Sequence, residues 1–229
     1  MRVLAASGVA AALAIGGAHA QDGAARDGIY VRAGAGATFL DDWNQEFTHN
    51  PDLVAIAPPP TGQSIENGEG FLASFALGFD YADGIRTELE YRYASTNIDS
   101  VTLDDPAGAV AAAAANDDIN AHFLLSNFYF DFTNESRFTP FVGAGVGGAF
   151  VENETGDRDA ALAYQGRAGV SYDFGGGFLA DVEYVFLRTS KLAYGPDGED
   201  FAPTGPFEPA VTGDRYQSSS VLVSLRKRF

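Results

Sequence analysis

The chain has 229 residues, no cysteine and a net charge of −17. That length fits one domain of moderate size. The missing cysteines exclude disulfides and thiolate chemistry. The net negative charge argues against nucleic acid as a partner, since phosphate binding needs clustered Lys and Arg.

The sequence opens Met1-Arg2, runs apolar from Val3 to Ala18 with only Ser and Gly interrupting, and reaches Ala18-His19-Ala20. A basic start, a short apolar core and an A-x-A site predict a signal peptide over 1–20, cleaved before Gln21, with 21–229 as the exported domain. The apolar run is too short for a membrane helix, and no later stretch nears the roughly 18 apolar residues one needs.

Period-2 alternation follows. In 28–40, Ile29, Val31, Ala33, Ala35, Ala37 and Phe39 share one face, opposite Tyr30, Arg32, Gly34, Gly36 and Thr38. In 70–81, Phe71, Ala73, Phe75, Leu77, Phe79 and Tyr81 oppose Ser74, Ala76, Gly78 and Asp80. In 85–93, Ile85, Thr87, Leu89, Tyr91 and Tyr93 oppose Arg86, Glu88, Glu90 and Arg92. Five more strands are predicted at about 119–132, 137–151, 160–173, 178–190 and 216–229. The first of these five alternates cleanly only in its second half, which suggests a bulge near Leu124 and Leu125.

Three connections are minimal turns: Ala82-Asp83-Gly84, Thr133 to Ser136, and Gly175-Gly176-Gly177. The other four, about 41–69, 97–118, 152–159 and 191–215, are long, and short and long alternate strictly. All short turns and both termini therefore share one end of the sheet. The long connections carry 6, 5, 4 and 5 acidic residues against 0, 0, 1 and 2 basic ones, which is the whole of the net charge.

A soluble barrel of the lipocalin kind would turn the apolar face inward; a transmembrane barrel turns it to lipid. Strand lengths, the asymmetry of the connections, aromatic residues at strand ends and glycines on the polar face favour the second. The expected fold is all-β, an eight-stranded antiparallel up-and-down transmembrane barrel.

The stretches "GIRTELEYRY", "SNFYFDF", "TPFVGAGVGGAF" and "SSVLVSLRKRF", in that order and spacing, resemble the bacterial outer-membrane β-barrel domain family of OmpA- and OmpX-like barrels and related surface antigens. The resemblance covers about 28–229. It implies the cell outer membrane with periplasmic termini, contact with outer-membrane lipid, and insertion by the barrel-assembly machinery through a terminal strand ending in an aromatic. Phe229 matches that signal, whereas Lys227 stands where a second aromatic is usual.

The inward face collects Arg32, Arg86, Glu88, Glu90, Arg92, Arg167, Asp181, Glu183 and Arg226. Eight strands leave an interior just wide enough for side chains, so these charges should pair into a plug; the alternative is a narrow ion or solute channel. The stretch Gly143-Ala144-Gly145-Val146-Gly147-Gly148 matches GxGxxG, but a dinucleotide loop must close a strand and open a helix. Its inward Gly143, Gly145 and Gly147 are instead expected to clear space for the arginines. His122 and Ser126, on one nominal face, are the sole candidates for a lipid hydrolase. A lone pair of that kind without a positioned acid is a weak basis for catalysis. No cofactor and no metal site is expected; the acidic pairs at 41–42, 104–105 and 117–118 offer at most weak calcium ligation. The expected role is structural, or interaction with host or environment through the long loops.

Overall fold

A computed structural model describes residues 28–48, 60–81, 83–105, 108, 110–112, 118–152, 158–194, 210–212 and 215–229. The predicted signal peptide lies outside them, as do parts of all four long connections. Twelve strands are described: β1 (Gly28–Leu40), β2 (Trp43–Thr48), β3 (Gly62–Tyr81), β4 (Ile85–Asp104), β5 (Val110–Ala112), β6 (Asp118–Asp131), β7 (Phe138–Glu152), β8 (Arg158–Gly175), β9 (Phe178–Thr189), β10 (Ala193–Tyr194), β11 (Ala210–Thr212) and β12 (Gln217–Arg228). Eight of them, β1, β3, β4, β6, β7, β8, β9 and β12, form an antiparallel up-and-down ring that closes where β1 pairs with β12.

The ring is staggered. From Arg32 the ladder runs through Ala76, Glu90, Leu125, Gly147, Ala163 and Thr189. It returns to β12 at Tyr216 rather than at Arg226, the direct partner of Arg32. A shear of this kind tilts the strands and fixes the bore of a small barrel.

Alternation decides the faces. Phe39, Phe71, Tyr81, Tyr91, Phe132, Phe138 and Phe150 are exposed on the outer wall, and the polar set of each strand is buried inside. The turn glycines take the left-handed conformation that tight hairpins demand, with φ of 77° at Gly84 and 86°, 64° and 78° at Gly175 to Gly177.

Two expectations need correction. No bulge interrupts β6: its register to β4 and to β7 is continuous, with Leu124 exposed and Leu125 buried. The lost alternation has another cause, since Phe123 and Leu125 are apolar residues that face the lumen. The long connections also hold more strand than their composition suggests. β3 and β4 run on to Gly62 and Asp104. There β2 and β5 pair with them, while β11 joins β2 and β10 joins β11. The barrel wall therefore continues past the ring at the long-connection end, here called the loop end.

Candidate functional site

Among the described residues, the lumen gathers buried polar side chains from every strand of the ring except β7. Each contributing side chain is inward because strand parity puts it there. Among the nine charges expected inside, the largest group centres on three carboxylates. Arg32 binds Glu88 through Nε at 2.9 Å and Nη2 at 2.6 Å, and also binds Glu183. Arg167 donates to Glu183 at 2.9 and 2.6 Å and to Glu90 at 2.5 Å. Arg92 reaches back along its own strand to Glu90 at 3.0 Å. Nearer the turn end, Arg226 pairs with Asp181 at 3.0 Å, and Ser171 donates to the same carboxylate at 2.6 Å. Arg86 does not join a carboxylate of the nine. It lies against Asp131 at 2.8 Å, with the Tyr129 ring 4.4 Å from its guanidinium carbon.

Neutral groups fill the gaps between these charges. Tyr30 donates to Glu88 at 3.1 Å and Tyr129 donates to the same carboxylate at 3.1 Å. Asn127 donates to Glu90 at 2.8 Å and accepts from Gln165 at 2.6 Å. All these residues are at most 5 % exposed. A charge so removed from water is tolerated only when paired and hydrogen-bonded. Each of the nine charges has an oppositely charged partner, although Nε and Nη1 of Arg226 have no hydrogen-bond partner among the described residues.

The inward glycines serve the neutral members rather than the arginines. A Cβ on Gly143 would press on the Tyr129 ring, and one on Gly145 would strike Asn127 and Gln165. Gly147 has a different neighbour: the backbone of Leu124 and Leu125 on β6. All three lie in β7, which pairs without a break to β8 over its whole length and to β6 from Phe141 to Glu152, so GxGxxG here is strand and not a phosphate loop.

Sequence reasoning missed the second half of the lumen. Towards the loop end much of the inward face is apolar: Leu40, Leu72, Phe123, Leu125, Leu187 and Leu222 form one buried cluster, with Thr38, Thr96, Thr189, Ser218 and Ser220 buried on strands of the same ring. Trp43, Ile65, Val101, Leu192 and Tyr216 extend it beyond the ring, with the Tyr216 and Phe123 rings 5.3 Å apart. Burying side chains of this size contributes about 1.5–3 kcal/mol each. The available signal was parity: Leu72, Phe123, Leu125 and Leu222 fall on the inward frame of their strands. Asp131 was likewise on the inward frame of β6.

His122 and Ser126 both lie on the outer wall. Four residues along a strand separate them by about 13 Å, and His122 Nδ1 meets the Tyr91 hydroxyl at 2.8 Å. No group of three or more His, Cys, Asp and Glu suited to a metal occurs among the described residues. Phe229 ends the chain on the outer wall, its backbone N–H donating to the Ile29 carbonyl at 3.0 Å. Beside it, Lys227 lies 4.0 Å from the Phe178 ring centroid.

Comparison with known proteins agrees with this architecture. A family described as Surface antigen matches residues 61–180. The outer membrane protein PagN of Salmonella typhimurium is 24% identical over 195 residues, covering 74% of this chain and 77% of that protein. A putative adhesin of Rickettsia bellii is 25% identical over 218 residues, 87% of each. Among solved structures, the outer membrane protein OprG of Pseudomonas aeruginosa superposes with a TM-score of 0.62 at 15% identity, covering 88% of this chain and 96% of that one. That likeness is one of fold.

Proposed function

The chain belongs to the surface antigen family of outer-membrane β-barrels, and from that premise we propose that it is a sealed scaffold for surface recognition. The turn end and both termini face the periplasm, and the acidic long connections face outward. One observation carries this reading: the lumen holds a network of paired, buried charges and, towards the loop end, a buried cluster of apolar side chains. A barrel filled in this way offers no polar path for ions or small solutes. What remains available to partners is the loop end, where the chain's net charge resides and where the wall rises beyond the ring. A rigid barrel bearing long loops suits recognition, and an excess of carboxylates there favours partners with positive charge. The Rickettsia bellii relative, named a putative adhesin, supports contact with another surface. Export through the predicted signal peptide and insertion by the assembly machinery, with Phe229 as the terminal signal, belong to the same reading. Catalysis does not, because His122 and Ser126 are too far apart to share a proton.

Protease treatment of intact cells tests the orientation. Cleavage within 41–69 or 191–215, with the 133–136 turn protected until the cells are opened, is the expected pattern. Cleavage confined to opened cells would refute it.

A further inference from the structure

The outer wall carries a feature that a uniform lipid contact does not require. On β4 and β6, next to the loop end, Tyr91, Tyr93, Asn120 and His122 form a hydrogen-bonded group on the lipid-facing surface. Tyr91 Oη and His122 Nδ1 are 2.8 Å apart, and Tyr93 donates to Asn120 Oδ1 at 2.5 Å. The His122 ring lies between the two tyrosines, 6.1 Å from the Tyr91 ring and 5.1 Å from that of Tyr93. These internal bonds orient the group while leaving His122 Nε2 and the Asn120 amide N–H groups to an outside partner. Two residues further along each strand, Ser95 donates to Asp118 at 3.0 Å, adding a carboxylate acceptor.

On the same strands, directly towards the turn end, the wall is indented. A shallow groove of about 750 Å³, largely open to the outside, is lined by Leu77, Phe79, Thr87, Leu89, Ser126 and Phe128 among others. The cross-strand register explains the depression: Ser126 stands between Leu89 and Val146, and Thr87 between Phe79 and Phe128. From His122 to Phe128 the strand covers about 20 Å, which at a tilt of about 40° is about 15 Å along the membrane normal, one leaflet's share of a core of about 30 Å.

We propose that β3, β4, β6 and β7 form a binding site for one glycolipid of the outer leaflet. An acyl chain lies in the groove, and a sugar of the headgroup rests on the Tyr91, Tyr93, Asn120 and His122 group. Two independent features point to the same amphiphile. The groove supplies apolar area, and the polar group sits one step beyond it at the height of the aromatic girdle, with rings for a sugar face and donors and acceptors for its hydroxyls. A mostly apolar site with a few convergent polar groups is the usual form of a small-molecule site, and tyrosine suits a boundary that is apolar on one side and wet on the other. A soluble glycan would leave the groove empty, and a glycerophospholipid would leave the polar group without a sugar.

The site rests on the orientation proposed above only for the leaflet that supplies the lipid, so its test uses nanodiscs of symmetric composition. Folded protein is reconstituted with a disaccharide-headed glycolipid diluted in glycerophospholipid, and the lipids retained on release are counted by native mass spectrometry. One glycolipid should be retained per barrel. Ser126→Phe, which fills the groove from the lipid side, and Asn120→Ala should each lower that retention about tenfold, equivalent to about 1.4 kcal/mol. Heat-dependent gel mobility confirms that each variant is folded. Equal retention of glycolipid and glycerophospholipid by the parent protein, or unchanged retention in both variants, would overturn the proposal. Failure of the orientation alone would leave the nanodisc result unaffected and appear only in the protease pattern.

Discussion

The two halves of the lumen are equally buried but are held by opposite physics. In the half near the turns, Arg32, Arg92 and Arg167 share Glu88, Glu90 and Glu183, and each charge is tolerable because its partners are fixed. In the half near the loops, Phe123, Leu125, Leu72 and Leu222 pack as one buried apolar cluster. The first half is brittle, since losing one group strands several others. The second is graded, since losing one side chain forfeits only its own contacts and leaves a cavity. A narrow barrel can therefore be filled by either means, and the seal proposed for this one uses both in series.

Removing one partner separates them most strongly. Arg167→Met leaves Glu90 and Glu183 each short of a cation and should destabilise the barrel by about 3–5 kcal/mol, read from urea unfolding in lipid followed by gel mobility. Phe123→Ala, in the apolar half, should lower stability by about 3 kcal/mol through lost burial and the cavity left behind. If Arg167→Met proved the milder of the two, the charged half would not be the brittle one. The smallest effect belongs outside the lumen. Glu152 and Arg158 form an ion pair at 2.7 Å with the arginine 80% exposed, and Glu152→Gln should change stability by less than about 1 kcal/mol in the same assay.

How far the sequence revealed this contrast follows from the range of the signals involved. Strand parity is local, so Arg32, Arg86, Glu88, Glu90 and Arg167 could be placed on one face from "IYVRA", "IRTELEYRY" and "YQGRAG". Partners are not local: whether Arg32 meets Glu183 depends on the stagger of the closed ring, and no short window encodes that. The apolar half was hidden for a different reason. Where the lumen is apolar, both faces of a strand are apolar and the alternation vanishes, which is why "HFLLS" suggested a bulge. The extra strands at the loop end were hidden by the opposite condition. Asn44, Gln45, Gln63 and Ser64 pair across β2 and β3 with polar residues on both faces, so period-2 contrast again disappears. The outer-wall tyrosine group needed the β4–β6 register, which sets Tyr93 opposite His122.

Recording from a planar lipid bilayer tests the sealed lumen most directly. Folded protein inserted at single-molecule density should give no steady conductance. The Phe123→Ala variant should also stay silent, because the paired charges still close the other half. A reproducible ohmic step in the parent protein whose size or ion preference changes with Glu90→Gln would show that the network lines a path, and would contradict the account of a barrel closed twice.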